Sequence, residues 1–240
     1  MFILALDTSS DALSVALLED TALRAEIFVN SGLNHSCTLL PTVKRLYDIA
    51  ELNIAQTDLY VCTVGPGSFT GLRTGVCTMK GLAMAMGKPL VGLSTLEALA
   101  ANAGPWPENI CPLLDASRGK IYAALYRRDE NGHLQLIGEE GVTDINRFLS
   151  ALEGEALFLG SGALKYAAEI KKERPQSFIA DPQDCHVHAR RVGILGGKKS
   201  AAEEIADVLT LAPRYLLLSE AERNLAAGEI GKARSVDKLL

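Results

Sequence analysis

Little in this chain is aromatic, basic or continuously apolar. Aromatic residues make up 5% of the sequence, with a single tryptophan, so the interior has to be built from aliphatic side chains rather than stacked rings. Twenty-four Lys and Arg stand against 29 Asp and Glu, a formal charge of −5, and no basic cluster is interleaved with aromatics; a broad direct nucleic-acid footprint is therefore not expected. The pairs Lys171-Lys172, Arg190-Arg191 and Lys198-Lys199 read as solvated faces. No apolar run approaches the length of a bilayer span, so no membrane association is expected. Met1-Phe2-Ile3-Leu4-Ala5-Leu6-Asp7 has no basic leader and meets an aspartate early, which makes the cytoplasm the expected location. Cys37, Cys62, Cys77, Cys111 and Cys185 are odd in number, scattered and without zinc or redox spacing, and read as reduced, largely buried thiols. What remains is an apolar chain, 240 residues at 48% hydrophobic, able to bury a core in one large or two modest domains.

Its most distinctive stretch is Val64-Gly65-Pro66-Gly67-Ser68-Phe69-Thr70-Gly71-Leu72-Arg73-Thr74-Gly75. A β-branched and aromatic run precedes it, as expected of an interior strand, and a helix of small residues follows from Gly71 to Met86. That helix carries only Arg73 and Lys80 as charges, seven apart and so on nearly one stripe. Glycines between a strand and a helix can bring N–H groups up to a phosphate. The spacing here rejects the familiar versions: Thr70 stands where a dinucleotide fingerprint needs glycine, Gly71-Leu72-Arg73 replaces the P-loop Gly-Lys-Ser/Thr, and Pro66 and Thr70 flank Ser68 where a hydrolase elbow needs glycines. The alternative is a tight crossover whose glycines let the helix pack closely, and the spacing favours it.

In chain order, strands are expected at residues 2–7, 12–18 and 23–29, the first two joined by the turn Asp7-Thr8-Ser9-Ser10. A helix follows over about 37–52, with Pro41 suited to its first turn and His35 on it or on its approach. After the central strand and helix come a strand at 90–93 and a capping box, Ser94-Thr95-Leu96-Glu97. Ala103-Gly104-Pro105-Trp106-Pro107 forbids regular structure and marks a boundary between residues 1–104 and 105–240. Beyond it, Ile110 to Tyr126 lies on Phe2 to Leu18 without a gap at a shift of 115 − 7 = 108 residues, with Asp115 on Asp7 and Ser117 on Ser9. That shift points to two similar domains rather than a repeat array. Further strands are expected near 133–142 and 156–159, and helices over 144–152, from Gly160-Ser161-Gly162 through Ile170, over 187–195 and over 201–210. Gly160 and Gly162 admit a nucleotide contact or a plain turn. The final dozen residues read as a loosely attached tail.

Strand, Asp-x-Ser turn, strand, strand, helix, strand, helix, written twice, resembles the actin, sugar-kinase and Hsp70-type (ASKHA) ATPase superfamily. The resemblance implies an α/β fold of two such domains, the second reduced, facing each other across a cleft that in the superfamily holds a metal-bound triphosphate. Here Asp7, Thr8, Ser9, Gly67, Ser68, Asp115, Ser117, Gly160 and Gly162 would form a vestigial nucleotide cleft. The plainer reading of Asp7 and Asp115 is turn chemistry, each side chain accepting from nearby N–H groups.

Within that superfamily Ile3-Leu4-Ala5-Leu6-Asp7-Thr8-Ser9, the glycine stretch, and Asp115-Ala116-Ser117-Arg118-Gly119-Lys120-Ile121-Tyr122 resemble the bacterial TsaB (YeaZ) family. The likeness is strong over about residues 1–127 and thinner afterwards; Pro213, Tyr215 and Leu216 match a late motif in which Leu217 replaces an expected arginine. It implies a non-catalytic subunit in the machinery that installs threonylcarbamoyladenosine in tRNA beside the anticodon. The implied partners are TsaD in a heterodimer and the ATPase TsaE, with a homodimer in isolation and tRNA reached only through the complex. TsaD holds a metal through two histidines four apart on the first helix. The matching positions here are His35 and Leu39, so no metal and no catalytic residue are expected. No cofactor is expected for the chain alone, and ATP or ADP with magnesium is left open for the complex.

The family pairs through its first two helices, so residues near 37–50 and 71–86 are the expected interface. Leu39, Val43, Leu46, Arg73, Val76, Met79 and Lys80 are its candidate side chains. The alternatives are a small-molecule kinase using Asp7 and Asp115 around magnesium and, least favoured, a metallopeptidase. In Asp184-Cys185-His186-Val187-His188 the histidines are two apart and on a helix would point to different faces, which argues against a metal site.

Overall fold

The computed structural model describes residues 1–217 except Leu33 and Pro107. The expected tail lies outside the described residues. The chain opens with β1 (Phe2–Asp7), β2 (Leu13–Glu19) and β3 (Ala22–Val29), then α1 (His35–Ala50), β4 (Leu59–Gly65), α2 (Phe69–Met86), β5 (Leu90–Ser94) and α3 (Thr95–Ala100). It continues through β6 (Asn109–Asp115), β7 (Lys120–Ala123), β8 (Tyr126–Arg128), β9 (Leu134–Leu136), β10 (Gly141–Asp144), α4 (Ile145–Ala151) and β11 (Ala156–Leu159). Last come α5 (Ser161–Lys165), α6 (Ala167–Glu173), β12 (Phe178–Ile179) and α7 (Ala189–Ala201).

The first sheet runs β3-β2-β1-β4-β5 and the second runs β10-β7-β6-β11-β12. In each, the opening strand sits at the centre, antiparallel to its hairpin partner and parallel to the strand after the first helix. The duplication expected from the 108-residue shift is thus present in the topology. The hairpins differ by one residue, however: Asp7 pairs with Ser14, seven on, whereas Asp115 pairs with Ile121, six on. A gap-free match in sequence is therefore one residue out of step on the returning strand.

β1 is apolar throughout because both of its faces are covered. Leu4 and Leu6 point into a core shared with Leu39, Val43 and Leu46 of α1 and Val76 and Met79 of α2. Ile3 and Ala5, on the other face, join Leu96 and Leu99 of α3, Val192 of α7 and, from the second sheet, Ile110 and Leu159. A third core lies under α4, α5 and α6.

Helix α7 belongs to the second half in sequence but packs on the first sheet. Its closeness depends on Gly193 and Gly196, where a Cβ would run into Leu18 and Val61. The division expected at residue 104 is therefore crossed in space.

Other differences are local. Asn34 caps α1 by accepting from Ser36 N, so His35 lies on the helix, and Pro41 is carried inside it on the exposed face. The strand expected at 133–142 is two short strands, and the helix after Gly160 breaks at Tyr166. The helix expected over 201–210 is absent: α7 ends at Ala201, Ala206 bridges to Leu90 at the sheet edge, and the Asp207 carboxylate holds a turn through Leu209 N. No helix of the described residues is long and apolar enough to cross a membrane.

Candidate functional site

The two Asp-x-Ser turns face each other across a cleft of about 420 Å³. Both are built alike: Ser9 N donates to Asp7 Oδ1 at 3.3 Å and Ser117 N donates to Asp115 Oδ1 at 3.1 Å. Beyond that the two aspartates diverge. Asp7 is fully buried and also accepts from the Thr63 hydroxyl at 2.5 Å; burial pushes its carboxyl above the usual carboxylate range, against the pull of Thr63 and Ser9. Asp115 is part exposed and paired with Lys165 at 2.8 Å, which raises the Lys165 ammonium above its ordinary value.

Of the expected cleft residues, Ser9, Gly67, Ser68, Asp115 and Ser117 line the cavity, together with Ser161. Asp7, Thr8, Gly160 and Gly162 do not, because they are enclosed by the chain itself. A Cβ on Gly71 would collide with the Thr8 carbonyl, one on Gly75 with the Thr8 hydroxyl, and one on Gly67 with the Ser9 carbonyl. Thr8 Oγ1 donates to Gly71 O at 2.8 Å and Ser68 N donates to Ser9 O at 2.7 Å. The glycine stretch is therefore closed on the first turn. Gly160 and Gly162 do the same against Leu113 in the second half. The close approach that the glycines permit is used for packing. With Asp7 enclosed and Asp115 paired to Lys165, the set does not fit a magnesium-held triphosphate.

His35 Nε2 donates to the Ser10 carbonyl at 2.7 Å, since a carbonyl can only accept, so Nε2 carries the proton. It ties α1 to the first turn. Leu39, one turn on, is in the core. Among the described residues no group of three or more His, Cys, Asp and Glu stands close enough to hold a metal. His186 and His188 both pack on the Phe28 ring, and His188 Nε2 bonds the Gln183 carbonyl at 3.0 Å. Burial pushes the thiols of Cys62 and Cys111 up to about 12, which leaves them inert. Cys62, Cys111 and Cys185 are buried, as expected of most of the thiols, while Cys37 and Cys77 are exposed.

The expected interface side chains need correction. Leu39, Val43, Leu46, Val76 and Met79 are all core residues, since the apolar stripes of α1 and α2 turn toward the sheet. Arg73 and Lys80 are engaged by the chain's own end. Lys80 Nζ donates to the carbonyls of Leu209 (3.0 Å) and Leu211 (2.8 Å), and Arg73 Nε donates to the Tyr215 hydroxyl at 3.0 Å. Tyr215 stacks on Phe69 at 4.4 Å, with the Arg73 guanidinium 3.9 Å above the Phe69 ring. Outward from the two helices point instead Leu40, Ile49 and Met84, 56%, 54% and 56% exposed.

The strap from 206 to 215 ends in a buried junction that sequence reasoning missed. Glu140 accepts from Ser94, from the Tyr126 hydroxyl at 2.8 Å and from Arg214 at 2.7 Å. Arg214 N also donates to Val64 O at 2.6 Å, at the head of the glycine stretch. Arg214 stood inside the late Pro213-Arg214-Tyr215-Leu216 segment, which was the available signal; Glu140, in a polar run, gave none.

Two sheets of one strand order, each opened by an Asp-x-Ser hairpin and meeting across a cleft, define an α/β protein of the actin, sugar-kinase and Hsp70 (ASKHA) type. Component A of the (R)-2-hydroxyglutaryl-CoA dehydratase of Acidaminococcus fermentans shares this fold at a TM-score of 0.52 and 11% identity, over 84% of this chain and 99% of its own. The family model described as TsaD, tRNA N6-adenosine threonylcarbamoyltransferase, matches residues 30–232. The tRNA threonylcarbamoyladenosine biosynthesis protein TsaB of Bacillus subtilis is 34% identical over 226 residues, 92% of this chain and 96% of that protein. YeaZ from Pseudomonas aeruginosa superposes with a TM-score of 0.77 at 28% identity, covering 90% of this chain and 99% of that one. The chain belongs to the TsaB (YeaZ) family.

Proposed function

We propose that this chain takes part in the biosynthesis of threonylcarbamoyladenosine in tRNA as a non-catalytic subunit. It pairs with TsaD through the outer face of α1 and α2 and helps recruit TsaE. The observation that carries the reading is the use already made of each candidate catalytic group. Asp7 is enclosed, Asp115 is paired with Lys165, His35 is buried with its Nε2 held on the Ser10 carbonyl, and Leu39 stands in the core where a second histidine would be needed. A chain so arranged contributes by binding. Support for the surface comes from α2, which is low in charge, carries an exposed Gly81 and Met84, and lies beside the exposed Leu40 and Ile49 of α1.

The test is threonylcarbamoyl transfer to tRNA by TsaD and TsaE, supplied with threonylcarbamoyl-adenylate and ATP, with this chain present or omitted. The expected result is activity only when the chain is present, retained by Asp7→Asn. Equal activity without it would overturn the reading. A second arm follows pairing with TsaD by size-exclusion chromatography: Met84→Glu with Leu40→Glu is expected to abolish the complex while leaving the isolated chain folded.

A further inference from the structure

A second cavity, of about 620 Å³, opens between α7, α3 and the β8–β9 hairpin, on residues that the paired turns do not use. Four basic side chains line it. Lys199 is neutralised by Glu97 at 3.0 Å and Glu204 at 3.9 Å. Arg128, Arg191 and Lys198 have no acidic partner among the described residues. Arg128 donates one N–H to the Gly132 carbonyl at 2.7 Å, but its Nε is buried without an acceptor, and so is Nε of Arg191. Burial and the neighbouring Arg191 charge both pull the Arg128 guanidinium below its ordinary value.

Two buried guanidinium N–H groups without acceptors, repelling one another, are costly as they stand. Both Nε atoms are closed off from solvent, so an anion in the cavity would bond the remaining N–H groups of the two guanidiniums and offset their repulsion, and guanidinium geometry suits a tetrahedral oxyanion. Four Lys and Arg side chains against Glu97 and Glu204 leave the lining two positive charges in excess, which suits a dianion better than a single carboxylate. Leu134, Ile194 and Leu195 give part of the wall an apolar surface, beside His133 and Gln135. The cavity's volume is that of a small-molecule site.

We propose that this cavity binds a phosphomonoester of nucleotide size, its phosphate held by Arg128, Arg191 and Lys198 and its organic body laid on Leu134, Ile194 and Leu195. The site is independent of pairing with TsaD, so its test does not rest on the function proposed above.

The experiment is calorimetric titration of the full chain at low ionic strength with AMP, adenosine and inorganic phosphate in turn. AMP is expected to bind, inorganic phosphate to bind more weakly, and adenosine, which lacks the charge, to give no measurable heat. Arg191→Gln should weaken AMP about tenfold or more, as loss of a charge-assisted bond to phosphate requires, with the melting temperature unchanged. Because Arg128 also braces the hairpin, Lys198→Gln serves as the second variant and should weaken AMP in the same direction. Absent binding of AMP at millimolar concentration, equal binding of adenosine, or AMP affinity indifferent to Arg191→Gln and Lys198→Gln would each overturn the assignment.

Discussion

Oδ1 of Asp7 accepts both of that residue's closest hydrogen bonds, and an asparagine in its place keeps that oxygen. The carboxyl titrates above its ordinary 3.8 because burial disfavours the charge. An acid that holds its proton more tightly when folded adds stability at low pH, and that stability is lost as the pH rises from the unfolded value through the folded one. Asp7→Asn cannot ionise. Its unfolding free energy minus that of the native chain should therefore climb as the pH rises above 3.8, as read by urea denaturation across a pH series. Asp58, Asp129 and Asp144 are shifted the opposite way but are common to both chains and cancel in the difference. The glycines give a matched pair. Gly71→Ala drives a methyl into the Thr8 carbonyl, which is backbone and cannot swing aside, at a cost of about 1–3 kcal/mol. Gly81→Ala meets open space in the same helix and should gain about 0.5–1 kcal/mol. Chemical denaturation of the two variants side by side checks the contrast.

At the scale of elements, the apolar spacing of α1 and α2 was legible, but it identifies the face that meets the sheet. Leu39, Val43, Leu46, Val76 and Met79 satisfy the helical period and are core; a partner's seat shows instead as apolar residues that break the period, such as Leu40, Ile49 and Met84. Val76→Glu should accordingly unfold the isolated chain, since it buries an unpaired carboxylate, whereas Met84→Glu should leave its circular dichroism melt unchanged. The Arg73 and Lys80 stripe was also readable, but its occupant was not, because the groups it binds lie 129 to 142 residues further on. The helix expected over 201–210 failed for a related reason. Ala201, Ile205 and Val208 carry helical spacing, yet the edge bond between Ala206 and Leu90 and the Asp207 turn take those backbone groups elsewhere. In contrast, β1, β4 and the Asp-x-Ser turns were recoverable because their determinants are local.

Across the whole molecule, Glu140 gathers Ser94 from the first sheet, Tyr126 from the second and Arg214 from the strap. Arg214→Gln leaves that buried carboxylate short of its cation. The Arg214 side chain is half exposed, so solvent softens the loss, expected at about 1–2 kcal/mol, with faster proteolysis after residue 205 as the local readout. The duplication was visible in sequence because two turns repeat at one shift. The return of α7 to the first sheet was not, because Gly193 and Gly196 mark a close approach without naming what is approached. That return sets an order in time. As the polypeptide leaves the ribosome, its opening half emerges with Ile3, Ala5, Leu18 and Val61 uncovered on one side, and their cover is encoded at residues 189–201. Synthesis from one end to the other therefore cannot finish the first half first. A nascent chain arrested before residue 189 has α3 on its β4–β5 edge but leaves exposed the part of β1 and β2 that α7 covers, an apolar surface open to association.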